Sequence, residues 1–504
     1  MRTCLLAFGA VLCGSFALAA SGEDRSEVKV AKSSIVLPTY APGGYDKTPL
    51  FYTGRVYQGA QGRVYPYPMQ DVLFDGKVDE TYTYLTLENK WLQMGLLPEH
   101  GGHLLNFTDR ATGFEAFYRQ HVVKPALIGM LGAWISGGVE WNFPHHHRAT
   151  TAMPIDWRLA ANADGSKTVW IGETELRRRL KWTIGLSMMP DRAVLRADNV
   201  FMNRGPFIES MIYWANVSVH CGDDYQIIFP PSCHLGFDHH KNYWTSWPIG
   251  PRKEEVELLP SQRSKYADDI SGTMDLSWWR NYTIESRSIF AMDPDNAWLA
   301  GMDHKRNMGT AHVSNRHLTV GKKFFLWGNF PEAHVWDTVL TDSDGPYLEL
   351  MVGCWSDNQP DYSWIDPYET RTVKQFWFPV KGIGGVKNVT IDGAVNVERL
   401  EKKEGLLVGF HSTRVLKGCT VRVLQKGAPA PVFEEKKVAI GPDTPWCKTV
   451  KVPADAQDQA FTATAASPPS CTRRSSRGAL RGRRSRPRSR GRVQARARSR
   501  ERGR

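Results

Sequence analysis

Between residues 36 and 382 the chain reads as short apolar or alternating runs broken by turn residues. Tyr82-Thr83-Tyr84-Leu85-Thr86-Leu87 alternates and stops at Glu88-Asn89-Lys90, and Trp91 to Leu97 is closed by Pro98 and the Gly101-Gly102 pair. The same rhythm predicts strands over Thr168 to Leu176, Trp182 to Met188, Ala193 to Asn199, Phe207 to Val219, Phe324 to Trp327 and Tyr347 to Cys354. Many short strands punctuated by Gly, Pro, Asn and Asp predict an all-β fold, a large sandwich or barrel. No βαβ rhythm is present, nor a glycine-rich phosphate loop after a strand, which disfavours nucleotide chemistry. After Gly382-Ile383-Gly384-Gly385 a second, plainer unit predicts strands over Val389 to Ile391, Leu406 to Phe410, Thr420 to Leu424 and Lys448 to Val452. The expected organisation is therefore a large β unit at 36–382 and a small β-sandwich-like domain at 386–465.

The ends change the meaning of the charge. Net charge is +12 over 504 residues, but Cys471 to Arg504 holds 15 Arg and one Glu, a contribution of +14, and the rest sums to −2. A near-neutral body removes the electrostatic case for nucleic-acid binding. The stretch 466–504 is expected to be disordered, having almost nothing to bury. It reads either as a basic arm or as frameshifted GC-rich text, and its abrupt onset favours the second. At the other end, Arg2, the apolar run Leu5 to Leu18 and Ala17-Leu18-Ala19 form a secretory signal over residues 1–20. The chain is thus expected to be exported, periplasmic or extracellular, with no stable membrane anchor. Five cysteines remain in the body, Cys221, Cys233, Cys354, Cys419 and Cys447; their number allows one disulfide such as Cys221–Cys233 or Cys419–Cys447, but no disulfide framework.

Candidate chemistry lies in the large unit. Val139-Glu140-Trp141-Asn142-Phe143-Pro144 leads into His145-His146-His147-Arg148. In an extended segment His145 and His147 share a side, which allows metal chelation, but no further ligand is placed by spacing; a histidine cluster bonding a polar ligand is the favoured reading, with no metal and no cofactor. Tyr213-Trp214-Ala215-Asn216 follows, then Phe237-Asp238-His239-His240-Lys241 with Trp244, and lastly Tyr347-Leu348-Glu349 with Asp361 and Trp364. Aromatic faces beside carboxylates, amides and imidazoles suit a sugar, whose C–H faces stack on rings while its hydroxyls need many polar side chains. The expected partner is a sugar or oligosaccharide; protein partners are unassigned.

Leu97-Pro98-Glu99-His100-Gly101-Gly102-His103, the stretch Val123 to His147, Tyr213 to Asn216 and Asp342 to Tyr368 together resemble a bacterial domain family of unassigned function within the galactose-mutarotase-like superfamily. The resemblance covers about residues 40 to 452. It implies a β-supersandwich with a carbohydrate site on its concave face, and relatives that often continue into tetratricopeptide repeats. Gly345-Pro346-Tyr347-Leu348-Glu349 is similar to the stretch carrying the catalytic glutamate of aldose mutarotases, which implies Glu349 as base. The acid histidine of that pattern falls near Ile212, so His145, His147, His239 and His240 are the candidates to replace it. The expected function is an exported glycan-processing enzyme, glycoside hydrolase-like. Its candidate catalytic residues are Glu349, Glu140, His147 and His239, and its candidate binding residues Trp141, His145, His146, Trp214, Asn216, His240, Lys241, Trp244, Asp361 and Trp364. A mutarotase-like epimerase and a non-catalytic binding module are the alternatives.

Overall fold

A computed structural model describes residues 26–44, 56–57, 60–61, 66–70, 72–128, 132–145, 147–239, 244–252, 272–292, 295, 298–355, 362–400, 405–452 and 461–466. The signal segment at 1–20 and the tail at 467–504 lie outside them, as do His146, His240, Lys241 and Asp361.

The seven-stranded sheet carries the candidate residues. Its strands in chain order are β1 (Val139–Asn142), β2 (Tyr213–His220), β3 (Leu235–Asp238), β4 (Trp244–Ser246), β5 (Arg287–Met292), β6 (Gly321–Leu326) and β7 (Tyr347–Cys354). In space they run β4-β3-β5-β6-β7-β2-β1, every neighbour antiparallel. An eight-stranded sheet packs against it, with Leu180–Met188, Leu195–Asn203 and Thr370–Lys381 near its centre and Asp156–Ala161 at one edge. Between the two lies one continuous core, to which the first sheet gives Val217, Phe324, Leu348, Leu350 and Val352 and the second Ile171, Trp182, Ile184, Leu195 and Trp377.

Burial patterns separate the two sheets. Leu195–Asn203 alternates buried and part-exposed residues, as an antiparallel strand with one wet face must. All eight residues of β7 are buried, and seven of eight in β2. These two strands are therefore covered on both faces, one by the core and the other by residues 116–128, 132–138, 143–145 and 147–151, which pack over the sheet. Polar residues on that second face are the ones that need explaining.

A third sheet of five strands begins with the long pair Lys29–Pro42 and Leu73–Glu88. The expected run Phe207 to Val219 is two strands, Glu209–Met211 and β2, because the Ile212 amide leaves the ladder to donate to the Pro144 carbonyl at 2.7 Å. Beyond Lys381, a four-stranded and a three-stranded sheet enclose their own apolar cluster around Val408, Val421, Val423 and Ile440. The five body cysteines are free thiols, so neither bridge that their number allowed, Cys221–Cys233 or Cys419–Cys447, is formed. Cys419 is fully buried in the small core while Cys447 is only half-buried on a neighbouring sheet. Gly138 shows how closely the site's first strand is approached: it sits at φ +51°, and a Cβ there would lie 1.7 Å from the Leu104 carbonyl oxygen.

Candidate functional site

Register brings the two glutamates together. Along β2, Asn216 faces Glu140 of β1, and Ser218 faces Glu349 of β7. Directly opposed residues share a face, so Glu140, Asn142, Trp214, Asn216, Ser218 and Glu349 all project from the side away from the core. With strands about 4.8 Å apart and a rise of about 3.4 Å per residue, the two glutamate Cα atoms stand about 12 Å apart across β2. Lys323 joins this face from β6, because it pairs with Met351, two residues beyond Glu349 on β7.

The chain leaving β1 supplies the imidazole. His147 adopts φ +48°, a left-handed conformation that costs a residue with a Cβ about 1–3 kcal/mol and is common at functional sites. Its amide donates to Asn142 Oδ1 at 3.1 Å, which holds the turn against the end of β1. Its Nδ1 lies 3.1 Å from Glu140 Oε1, and its ring meets the edge of Trp134 with centroids 5.9 Å apart.

Electrostatics then divide the two carboxyls. Burial pushes Glu349 up, the Glu140 charge pushes it further, and His147 and Lys323 only partly offset them, leaving it at about 7. Among the described residues no side chain hydrogen-bonds the Glu349 carboxyl. Burial acts on Glu140 in the same direction, but the His147 charge and hydrogen bond, the nearby Trp134 indole N–H and Arg148 outweigh it and hold Glu140 below the usual carboxylate range. For His147, burial pulls downward and the Glu140 charge and hydrogen bond pull upward more strongly, with help from Glu349. At neutral pH the face therefore presents an ionised Glu140, a His147 whose hold on its proton is strengthened by that charge, and a Glu349 near its midpoint. Two carboxyls with separated proton affinities can do acid and base work at one pH.

Removing Glu140 tests this division. In a Glu140→Gln variant only the weaker Glu349 charge is left to oppose burial and Lys323 at His147, so its midpoint is expected to fall below the ordinary 6.5. Ring-proton NMR of the histidines against pH reads it directly. A midpoint still above 6.5 would mean that Glu140 does not hold the proton on His147.

Among the described residues, Glu140 Oε2, Asn142 Nδ2 and Trp214 Nε1 are buried on this face with no hydrogen-bond partner. Folded proteins leave few such groups, and three on one sheet face make it a candidate for binding polar groups. Among the described residues no group of three His, Cys, Asp or Glu side chains is arranged to hold a metal ion.

Other expected residues lie elsewhere. Trp141 is a correction: it points into the core and meets Trp377 edge-on at 6.2 Å, because its neighbour Glu140 takes the other side of β1. His145 does not share a side with His147. It stacks on Tyr362 at 4.7 Å and its Nε2 lies 3.1 Å from the Ser210 carbonyl, and burial, aided by Arg178, pushes its pKa down to about 3. His239 stacks on Phe290 and accepts at Nδ1 from the Lys323 ammonium at 3.4 Å, so it meets the site through Lys323 rather than through Glu349. Trp214 is buried on the glutamate face, with the Lys323 ammonium 5.1 Å from its ring centroid. Trp244 is exposed on the edge strand β4, and Trp364 is exposed on Ser363–Ile365.

Lys323, Asn142 and Trp134 escaped the sequence reading. A signal for Lys323 existed: Lys322-Lys323 stands inside the apolar run Gly321–Leu326, so one lysine must point to each side of a strand buried on both. Lys322 takes the core side, donates to the Thr319 carbonyl at 3.2 Å, and burial lowers its pKa to about 8.

Residues 60–380 match a family described as a domain of unknown function (DUF5107), and residues 388–467 match the second domain of YphG-like proteins. A TPR-domain-containing protein from Parabacteroides distasonis is similar in structure at 20% identity and a TM-score of 0.58, over 70% of this chain and 56% of that one. The chain thus spans a little over half the length of that protein, and the likeness shows the fold. A galactose mutarotase-like protein from Clostridium acetobutylicum is similar at 9% identity and a TM-score of 0.40, over 60% of this chain and 96% of that one. A galactose mutarotase related enzyme from Lactobacillus acidophilus matches at 10% and 0.37, over 59% and 97%.

Proposed function

The chain belongs to the DUF5107 family, and from that premise we propose that it is a carbohydrate-active enzyme doing acid–base chemistry at an anomeric centre. The observation that carries the reading is the pair of buried glutamates on one sheet face whose proton affinities are driven apart. Glycan cleavage is the first reading. Glu349, protonated, delivers its proton to the departing glycosidic oxygen as the C–O bond breaks. Glu140, kept ionised by His147, takes the proton of the attacking water or bonds to the anomeric carbon itself. Asn142, Asn216 and Lys323 line the same face with polar groups suited to hydroxyls.

The His147 imidazole held beside Glu140 favours a second reading, epimerisation. There Glu349 removes the anomeric hydroxyl proton while His147 protonates the ring oxygen, so that the ring opens and recloses on the other face. The two readings require opposite states of the same carboxyl. Cleavage needs Glu349 protonated and loses rate as pH rises through about 7; ring opening needs it ionised and gains rate over that interval. The signal-like first twenty residues support a location outside the cytoplasm, and the substrate is proposed to be a glycan met there.

Anomeric-region proton NMR of a sugar and oligosaccharide panel, with wild type beside Glu349→Gln, tests the proposal. New reducing-end signals lost in the variant establish cleavage. Faster anomer exchange without new ends establishes epimerisation. If wild type changes neither, the catalytic reading fails and the face is a binding surface.

A further inference from the structure

The eight-stranded sheet carries a groove on its outer face, on the far side of the core from Glu349. Its geometry follows from register. Arg158 pairs with Trp170 and Asp156 with Gly172; Gly172 in turn pairs with Thr183, and Thr174 with Lys181. These positions share one face, since Val169, Ile171, Trp182 and Ile184 between them point into the core. Trp170 sits directly opposite Gly185, and a Cβ there would lie 2.6 Å from the indole. The ring is therefore laid flat across the neighbouring strand, a position that any larger residue at 185 would deny it. Together these residues bound a groove of about 580 Å³, within the span of about 300–1,000 Å³ usual for small-molecule sites.

We infer that this groove is a second, non-catalytic carbohydrate surface that holds a polysaccharide chain while the face bearing Glu349 acts on it; the class of ligand rests on the carbohydrate reading above. The ring offers a flat face for the C–H side of a pyranose. Its rim mixes donors, acceptors and both signs of charge in Arg158, Lys181, Asp156 and Thr183, which suits a run of hydroxyls and selects against a purely anionic or cationic partner. Among the described residues none of Arg158, Lys181 and Asp156 has its charged end in an ion pair, so all three can turn to a ligand. Two sheets and the core between them separate the groove from Glu349, more than about 10 Å. A short sugar cannot reach both, so the groove serves a long chain.

Affinity electrophoresis of the full-length protein in native gels containing β-glucan, arabinoxylan or galactomannan tests this without using turnover. Wild type should be retarded by at least one of them. Glu349→Gln should be retarded equally, whereas Trp170→Ala should bind at least tenfold more weakly. Thr183→Arg, which fills the groove from an accessible strand position, should lose retardation as well, with thermal midpoints near wild type showing that both variants fold. Equal retardation of both groove variants would overturn the inference, as would no retardation of wild type in any gel. Loss of retardation in Glu349→Gln alone would place the polysaccharide on the face bearing Glu349 instead. A protein that is retarded but turns over nothing would leave the groove standing while the catalytic reading fell.

Discussion

Glu349→Gln is expected to lower turnover sharply and, at the same time, to raise the thermal midpoint at pH 8. Loss of the proton-transfer group should cost about 10²–10⁴-fold in kcat. The stability effect has the opposite sign because the wild-type carboxyl is held against its preference. Its folded pKa of about 7 stands above the ordinary 4.5, so between those values the native state binds more protons than the unfolded chain and stability falls as pH rises. At 1.36 kcal/mol per unit, the full penalty above pH 7 is about 3 kcal/mol. Glutamine mimics the protonated acid and never ionises. The variant should therefore match wild type below about pH 4.5 and exceed it increasingly toward pH 8. Calorimetry at pH 5 and pH 8 beside a rate assay checks both halves. A variant equally destabilised at both values would show that the carboxyl is structural.

Lys381→Met is expected to be the most damaging exchange at the junction of the two β units, lowering stability by about 3–5 kcal/mol. Lys381 ends the strand Thr370–Lys381 and is buried; its ammonium meets Asp109 Oδ2 at 2.6 Å and Asp443 Oδ1 at 3.0 Å. Asp109 closes a strand of the five-stranded sheet and is itself 2% exposed, whereas Asp443 lies among the strands beyond the junction. Methionine fills much of the volume but leaves the Asp109 carboxylate buried without its counter-charge. Adding Asp109→Asn should restore most of the loss, since an amide oxygen can still accept from the Thr112 amide and hydroxyl, as Asp109 Oδ1 does at 3.0 and 2.8 Å. Urea midpoints of the two single variants and the double variant measure the coupling. Strict additivity would mean that the pair contributes nothing beyond its separate residues.

The strands were legible wherever one pattern held throughout. Tyr347–Cys354 has the bounds that its apolar run suggests, and Leu195–Asn203 shows the expected alternation though it begins two residues later. The site was legible only in pieces. Glu140 and Trp141 stand side by side, and alternation requires that one of them face the core; nothing in the local text says which, and it is the tryptophan. The pairing of Glu140 with Asn216 and of Ser218 with Glu349 joins residues separated by 76 and 131 positions, and such contacts leave no mark in local periodicity. His145 and His147 were read as extended neighbours, but the left-handed backbone at His147 turns one toward Glu140 and the other toward Ser210. Glu349 itself was singled out by its resemblance to a known motif, since one glutamate in an apolar run does not reveal what surrounds it.

Glu349 and Glu140 should titrate apart on one buried face. Carbon-13 NMR of side-chain-labelled glutamate, followed from pH 3 to pH 9 in the free protein, measures this without knowledge of the substrate. One glutamate carboxyl should show a midpoint near 7, and that signal should vanish in Glu349→Gln; a second, absent from Glu140→Gln, should titrate below the ordinary 4.5. If every glutamate carboxyl instead titrates together near 4.5, the two residues are ordinary acids and the acid–base site described here does not exist.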